Sequence, residues 1–231
     1  GTHVTLKGCR SWGNSDDGYD MFGANGYFEY SDCWAFDNGR YNGNGDGFKS
    51  HQKGEKESGI QRTYIRCIAF NNKGSGFTSP PQAIESMMNC VSYSNDLNGF
   101  GYNTGRNLPC IFRNNVSFDN KRSQYAGLPD FINENNSWNK GLKSGRSDFI
   151  SLDTTGVSGR RKADGTLPDL SFLKLREDSG LIDAGTDTGL PYSGNAPDLG
   201  AYESTAAVGQ SIRTPRSVLI RMYLSLVLPW I

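Results

Sequence analysis

The sequence predicts an all-β fold, a parallel β-solenoid in which each coil of the chain stacks on the one before it. A short motif recurs along the first 140 residues at spacings of 20 to 34 residues. Short β-like runs lie between clusters of Gly and Asn, while amphipathic stretches of helical period are scarce. Glycine accounts for 29 of 231 residues and hydrophobic residues for only 35%. This composition is typical of a turn-rich β protein.

The repeated motif has a cysteine, then a small residue, an aromatic ring and an asparagine. Strands of successive coils pair about 4.8 Å apart, so like residues stack on like. We therefore expect a narrow interior of Ser and Ala, a ladder of bonded Asn side chains, and reduced cysteines packed as small apolar residues. The copies are CRSWGN from Cys9, CWAFDN from Cys33, CIAFNN from Cys67, CVSYSN from Cys90, NVSFDN from Asn115 and a weaker NNSWNK from Asn135.

The repeat divides the chain into three parts. Residues 1–145 form the predicted coils, and residues 146–204 form an irregular return segment and cap of the same domain, because an uncovered solenoid end is an aggregation edge. Residues 205–231 are a tail of unknown role. The first residues are already strand-like, so we expect the chain to be a fragment of a longer protein.

Composition argues against several functions. The 24 basic and 24 acidic residues balance, which gives no bulk attraction to nucleic acid. Five cysteines without a CxxC pair, together with two histidines, argue against a zinc site. The apolar stretch SVLIRMYLSLVLPWI at the end of the sequence contains Arg221 and is shorter than the roughly 20 residues that span a bilayer. We expect a monomer with neither a nucleic-acid nor a membrane partner.

Three aspartates crowd into the first copy of the repeat. Asp16, Asp17 and Asp20 fall within five positions, and the next coil has DGFK at the equivalent place, which ends on Lys49. Later coils have SGFT, NGFG and SQYA there, so the fold itself does not require charge at this corner. Stacking is expected to place Lys49 directly over Asp20, about one strand spacing away.

Different interpretations of these charges remain open from spacing alone. Carboxylates this close repel unless a cation joins them, and their hard oxygens suit Ca²⁺. Lys49 could act as a general base where desolvation or a cation disfavours its charged form. Alternatively, Asp20 and Lys49 form a cross-strand ion pair worth about 0.2–1 kcal/mol. Asp17 and Asp46 each precede Gly, as turn residues do, and Asp46 keeps that interpretation because its column is polar in every coil.

CRSWGNSDDGYD, followed about thirty residues later by GDGFK, resembles the polysaccharide lyase family 9 pectate lyases. The ending SGLIDAGTDTGLPYSGNAPDLGAYE is also similar, and the resemblance covers residues 2–204. It implies a right-handed parallel β-helix, a secreted location, Asp16, Asp17 and Asp20 as calcium ligands, and Lys49 as the base. A further aspartate ligand is implied about one coil upstream, at a position that would precede the first residue of this chain.

The resemblance implies cleavage of polygalacturonate by β-elimination. Lys49 would remove the proton at C5, after which the C4–O bond breaks. No nucleophile is needed, in keeping with the lack of a Ser-His or Cys-His signature. Lys53 and Arg106 are candidates to bind uronate carboxylates, although both are equally well explained as solvated surface charges.

Two other functions remain open on the same architecture. A polygalacturonase-type hydrolase would need a suitably separated carboxylate pair, but its typical Gly-His-Gly and Arg-x-Lys elements are not evident. A non-catalytic carbohydrate-binding or adhesin solenoid with a structural ion is the other alternative, because fold does not imply function.

Overall fold

The structure, a computed structural model, describes residues 3–50, 61–79, 84–102, 110–127, 132–139 and 141–204. Within them, sixteen strands, numbered β1 to β16 in chain order, form three parallel sheets. Sheet A contains β1 (His3–Lys7), β4 (Tyr27–Ser31), β7 (Gln61–Ile65), β10 (Ile84–Met88), β13 (Ile111–Arg113) and β16 (Ile132–Glu134). Sheet B contains β2 (Arg10–Trp12), β5 (Trp34–Phe36), β8 (Ile68–Phe70), β11 (Val91–Tyr93) and β14 (Val116–Phe118). Sheet C contains β3 (Tyr19–Asp20), β6 (Phe48–Lys49), β9 (Phe77–Ser79), β12 (Asn98–Tyr102) and β15 (Ser123–Ala126).

The predicted parallel solenoid is confirmed. Coils 1 to 5 each contribute one strand to every sheet, and each strand pairs in parallel with the same strand of the next coil. The only helical element among the described residues is a short 3-10 turn, Arg146–Asp148. In the described part of the chain there is no helix with the length and apolar character to cross a bilayer.

The asparagine column forms the expected ladder along the axis. Each side-chain amide donates to the side-chain oxygen of the asparagine one coil further on, at 2.9 Å from Asn14 to Asn38, from Asn38 to Asn72 and from Asn72 to Asn95. The same amides also reach backbone carbonyls, as Asn72 does at Ala35. The ladder therefore satisfies buried polar groups while it fixes the register of the coils.

The coil interior is narrow and filled with stacked rings. Phe48, Phe77 and Phe100 stack in succession with centroid distances of 4.9 Å. The cysteines of the described residues are buried, as expected for small packed side chains, except Cys9, which is partly exposed. At Gly47 a Cβ would lie 2.6 Å from the carbonyl oxygen of Gly76, so the close approach of successive coils requires glycine there.

The return segment covers the outward face of sheet B. The Phe172 ring lies 4.8 Å from that of Phe70 and 6.3 Å from that of Tyr93. At the first coil, Arg10 donates to the Val157 carbonyl. Leucines and phenylalanines of the segment, together with the aromatic column of sheet B, make a second hydrophobic cluster beside the inner one. Sheet C lies outside this cover, and its outward face carries the candidate site.

Candidate active site

The predicted charged residues meet where coils 1 and 2 enter sheet C. Asp20 and Lys49 are register partners across β3 and β6, as the stacking predicts. The inward neighbours Tyr19 and Phe48 stack with their ring centroids 4.9 Å apart, which fixes the pair of strands beneath the charges. Beyond Lys49 the same outward column continues with Thr78.

The closest partner of Lys49 is Asp17. The Lys49 Nζ lies 2.7 Å from Asp17 Oδ2 and 3.8 Å from Asp20 Oδ2. The Asp17 side chain is 0% exposed, whereas that of Asp20 is 37% exposed. Asp20 Oδ1 instead accepts a bond from the Phe22 N–H at 2.8 Å. Lys49 is thus in an ion pair, but its shorter contact is to the buried aspartate of the preceding turn and not to its strand partner.

Asp17 and Asp46 connect successive coils. Asp17 Oδ1 accepts the N–H of Asp46 at 2.7 Å, and Asp46 Oδ1 accepts the N–H of Ser75 at 2.6 Å. Each carboxylate therefore binds the backbone of the next coil. Asp17 has one oxygen fixed by that backbone and one facing Lys49, so the fold determines where the lysine is held.

Asp16 is attached to an extended turn of coil 2. Its Oδ1 accepts the N–H of Asn44 at 2.7 Å, and it packs so closely on Gly43 that a side chain there would collide with it. In coils 2 and 3 the position of Asp16 is taken by Gly45 and Gly74. The repeat does not require an acid at this position.

These residues form what we call the acidic corner, namely Asp16, Asp17, Asp20, Asp46 and Lys49. Burial raises the pKa of Asp46 to about 6, although the Ser75 N–H opposes the shift. Burial lowers the pKa of Lys49, but the hydrogen bond to Asp17 and the charges of Asp17, Asp20 and Asp46 outweigh it, so that pKa lies above its usual range. Without a further cation, Lys49 is an ammonium at neutral pH.

The donor atoms of the acidic corner are of the kind that Ca²⁺ prefers, but their placement does not fit a bound ion. Asp16, Asp17 and Asp20 each give one oxygen to a backbone N–H, and the second oxygen of Asp17 faces Lys49. Across the described ranges, no three Asp, Glu, His or Cys side chains are placed to hold a metal ion together. The ammonium of Lys49 supplies the positive charge here.

The structure leaves two predicted residues untested and adds three neighbours to the site. Lys53 and Arg106, predicted to bind substrate, lie outside the described residues. The sequence assigned Asp46 to a turn only. It did not indicate Tyr41, which lies on the extended turn of coil 2 that contacts Asp16, or Lys73, which donates to the Tyr41 carbonyl. The unusually long spacing between the second and third repeats was the signal for that turn.

Comparison with known proteins agrees with the architecture. Residues 1–104 match the family described as Pel9A-like, right handed beta helix region. Pectate lyase L of Dickeya dadantii (strain 3937) is 40% identical over 206 residues, which cover 85% of this chain and 47% of that protein. Pectate lyase L of Paenibacillus polymyxa (strain SC2) is 31% identical over 210 residues, 82% of this chain and 44% of that protein.

A solved structure gives the same result. The crystal structure of pectate lyase Pel9A superposes with a TM-score of 0.74 at 36% identity, covering 87% of this chain and 51% of that one. The chain thus spans about half the length of the relatives it matches.

Proposed function

We propose that the chain, whose residues 1–104 match the Pel9A-like right-handed β-helix family, is a pectate lyase that cleaves polygalacturonate by β-elimination. One observation carries the proposal. Lys49 lies 2.7 Å from the fully buried carboxylate of Asp17, in a corner that later coils build with neutral residues. A lysine and acids that the fold does not need are best explained by chemistry. A secreted location is likewise a proposal.

In the proposed reaction Lys49 is the base. Its neutral amine takes the proton from C5 of a galacturonate unit, and the electrons of that C–H bond form a C4–C5 double bond. The C4–O bond breaks, and the leaving oxygen takes a proton from water. Asp17 positions the amine, since its other oxygen is fixed by the Asp46 N–H.

The protonation of Lys49 sets the pH dependence. The surrounding carboxylates hold its pKa above the usual range, and only the neutral amine can accept the C5 proton. We therefore expect turnover to rise as pH increases into the alkaline range. Positive charge brought near the acidic corner would lower that pKa and extend activity towards neutral pH.

For the cofactor we propose Ca²⁺ near Asp16, Asp17 and Asp20. Because the described residues do not fit a bound ion as they are placed, the proton transfer is assigned to Lys49 without it. Removal of divalent ions with a chelator tests the cofactor directly. Loss of activity that Ca²⁺ restores would support it, and unchanged activity would reject it.

The Lys49→Met variant tests the function. Elimination is followed by the ultraviolet absorbance of the unsaturated product, and turnover should fall by about 10²–10⁴-fold while polygalacturonate is still bound. Lys121→Met is the control, because Lys121 is exposed and paired with Asp96. Full activity in Lys49→Met would reject the proposal. New reducing ends without the absorbance would favour a hydrolase instead.

A further inference from the structure

The turn of coil 2 before sheet C is longer than its counterparts. Seven residues, 39–45, separate Asn38 from Asp46, whereas two residues fill the same turn in coils 1, 3, 4 and 5. The extra residues project Tyr41, whose side chain is the most exposed large hydrophobic one among the described residues, at 72%. Neither the asparagine ladder nor the strand pairing of sheet C uses residues 39–45. The insertion is therefore not needed to build the coil.

The inserted turn is fixed to the coils on either side of it. Towards coil 1, the Gly43 N–H donates to the Ser15 carbonyl at 3.2 Å, and the Asn44 N–H donates to Asp16. Towards coil 3, the carbonyl of Gly45 accepts the Gly74 N–H at 2.8 Å. These bonds anchor the inserted turn, which carries Tyr41, beside Asp16 of the acidic corner.

Lys73 of coil 3 completes this surface. Its Nζ donates to the Tyr41 carbonyl at 3.2 Å, and its stem packs where Gly39 and Gly45 have no side chain, since a Cβ at either would lie within 2.7–2.9 Å of Lys73 Cβ. No carboxylate among the described residues forms an ion pair with it. Lys121, in the same column two coils on, is paired with Asp96 at 2.7 Å.

The charge of the site requires such a group. The acidic corner has four carboxylates and one ammonium. Its net negative charge therefore repels a polyanion that approaches Lys49. Successive coils rise about 4.8 Å, so the turn of Asp16, the turn of Tyr41 and Lys73 follow one another along the axis. An ammonium with no carboxylate partner in the described part of the chain, bonded to the backbone of a residue with an exposed ring, is suited to a sugar acid, because the ring can pack on C–H groups and the ammonium can bind the carboxylate.

We propose that Tyr41 and Lys73 form a subsite that binds one uronate unit of the polymer next to the acidic corner. This inference rests on the proposed function, since it takes an acidic polysaccharide as the ligand. In this proposal neither residue takes part in the proton transfer. They act on binding, and the chemistry stays with Lys49.

Kinetics on polygalacturonate separate this role from a structural one. Lys73→Met and Tyr41→Ala should each raise KM by roughly threefold to fivefold with little change in kcat, the pattern of lost uniform binding. Tyr41→Phe keeps the ring and should restore KM. The matched control Lys121→Met removes an ammonium from the same column and should leave KM unchanged. Equal effects of Lys73→Met and Lys121→Met would overturn the subsite.

Titration calorimetry with a defined oligogalacturonate distinguishes failure of the subsite from failure of the lyase function. The titrated protein is Lys49→Met, which should bind without turnover. Weaker binding on adding Lys73→Met or Tyr41→Ala supports the subsite, even if the original chain shows no elimination. Elimination by the original chain with binding that ignores both substitutions overturns the subsite alone. No binding of the oligogalacturonate to Lys49→Met, together with no elimination by the original chain, overturns both.

Discussion

Sheet C has the same inner face in coils 2 to 4, whereas its outer face is charged in coils 1 and 2 and neutral beyond them. Phe48, Phe77 and Phe100 stack at one spacing of 4.9 Å through coils 2 to 4. On the outer face Asp20 and Lys49 give way to neutral residues. These are Thr78, Gly101 and Ala126. The comparison teaches that the stack is held together from inside, and that chemistry is added at outward positions that packing leaves free.

The largest effect should come from breaking the shared inner face. Phe48→Ala and Phe77→Ala each remove a buried ring from the stack and should cost about 3–5 kcal/mol of the free energy of unfolding. Both values, measured by urea denaturation, should agree within about 1 kcal/mol, since each buried ring is stacked between two other aromatic rings at 4.9 Å. A much smaller cost at Phe48 would show that the charged coil is not packed like the neutral ones.

The charged outer face of sheet C can be converted to the neutral type of the later coils by substitution. Lys49→Thr copies Thr78 of the next coil and leaves the buried Asp17 without its ammonium, which should cost about 2 kcal/mol in chelator. Adding Asp17→Ser, which copies Ser75, should recover more than half of that loss, because no buried charge then remains. If the double variant is no more stable than Lys49→Thr, the ion pair does not govern the stability of the corner.

Cation binding tests whether Lys49 and Ca²⁺ compete for the charged outer face of sheet C. Lys49 contacts the Asp17 oxygen that a metal ion would use, so the two positive charges should compete. Lys49→Met is expected to bind Ca²⁺ roughly tenfold more tightly, equivalent to about 1.4 kcal/mol, in titration calorimetry. Weaker or absent Ca²⁺ binding in Lys49→Met would contradict competition for Asp17.

The smallest effect concerns pH. The folded-state pKa of Asp46 is raised to about 6, mainly by burial, above its usual value. Its contribution to stability is therefore present at low pH and is lost as pH rises through about 6. Asp46→Asn keeps an acceptor for the Ser75 N–H and lacks this loss. The free energy of unfolding of Asp46→Asn, relative to that of the original chain, should therefore increase by about 1 kcal/mol as pH rises from about 4 to about 8. Chemical denaturation in chelator measures this difference. An equal pH slope in both proteins would reject this assignment.

Repetition made much of the site predictable. The motif columns gave the register that sets Lys49 beside Asp20, because equal spacing in a parallel solenoid aligns equal positions. The same columns revealed the charged residues as departures from neutral counterparts. Periodicity did not show that Asp20 turns to the Phe22 N–H while Asp17 receives the lysine, since side-chain direction depends on competing hydrogen-bond donors.

The sequence by itself determined the solenoid, its asparagine ladder and the corner at which its charges collect, because each follows from residues repeated at nearly constant spacing. Only the tertiary structure decided that the return segment lies along sheet B, that Asp17 is the buried partner of Lys49, and that Tyr41 and Lys73 meet beside Asp16. Those arrangements join segments with no common period. Their contacts are set by which surfaces and backbone N–H groups remain free once the coils have stacked.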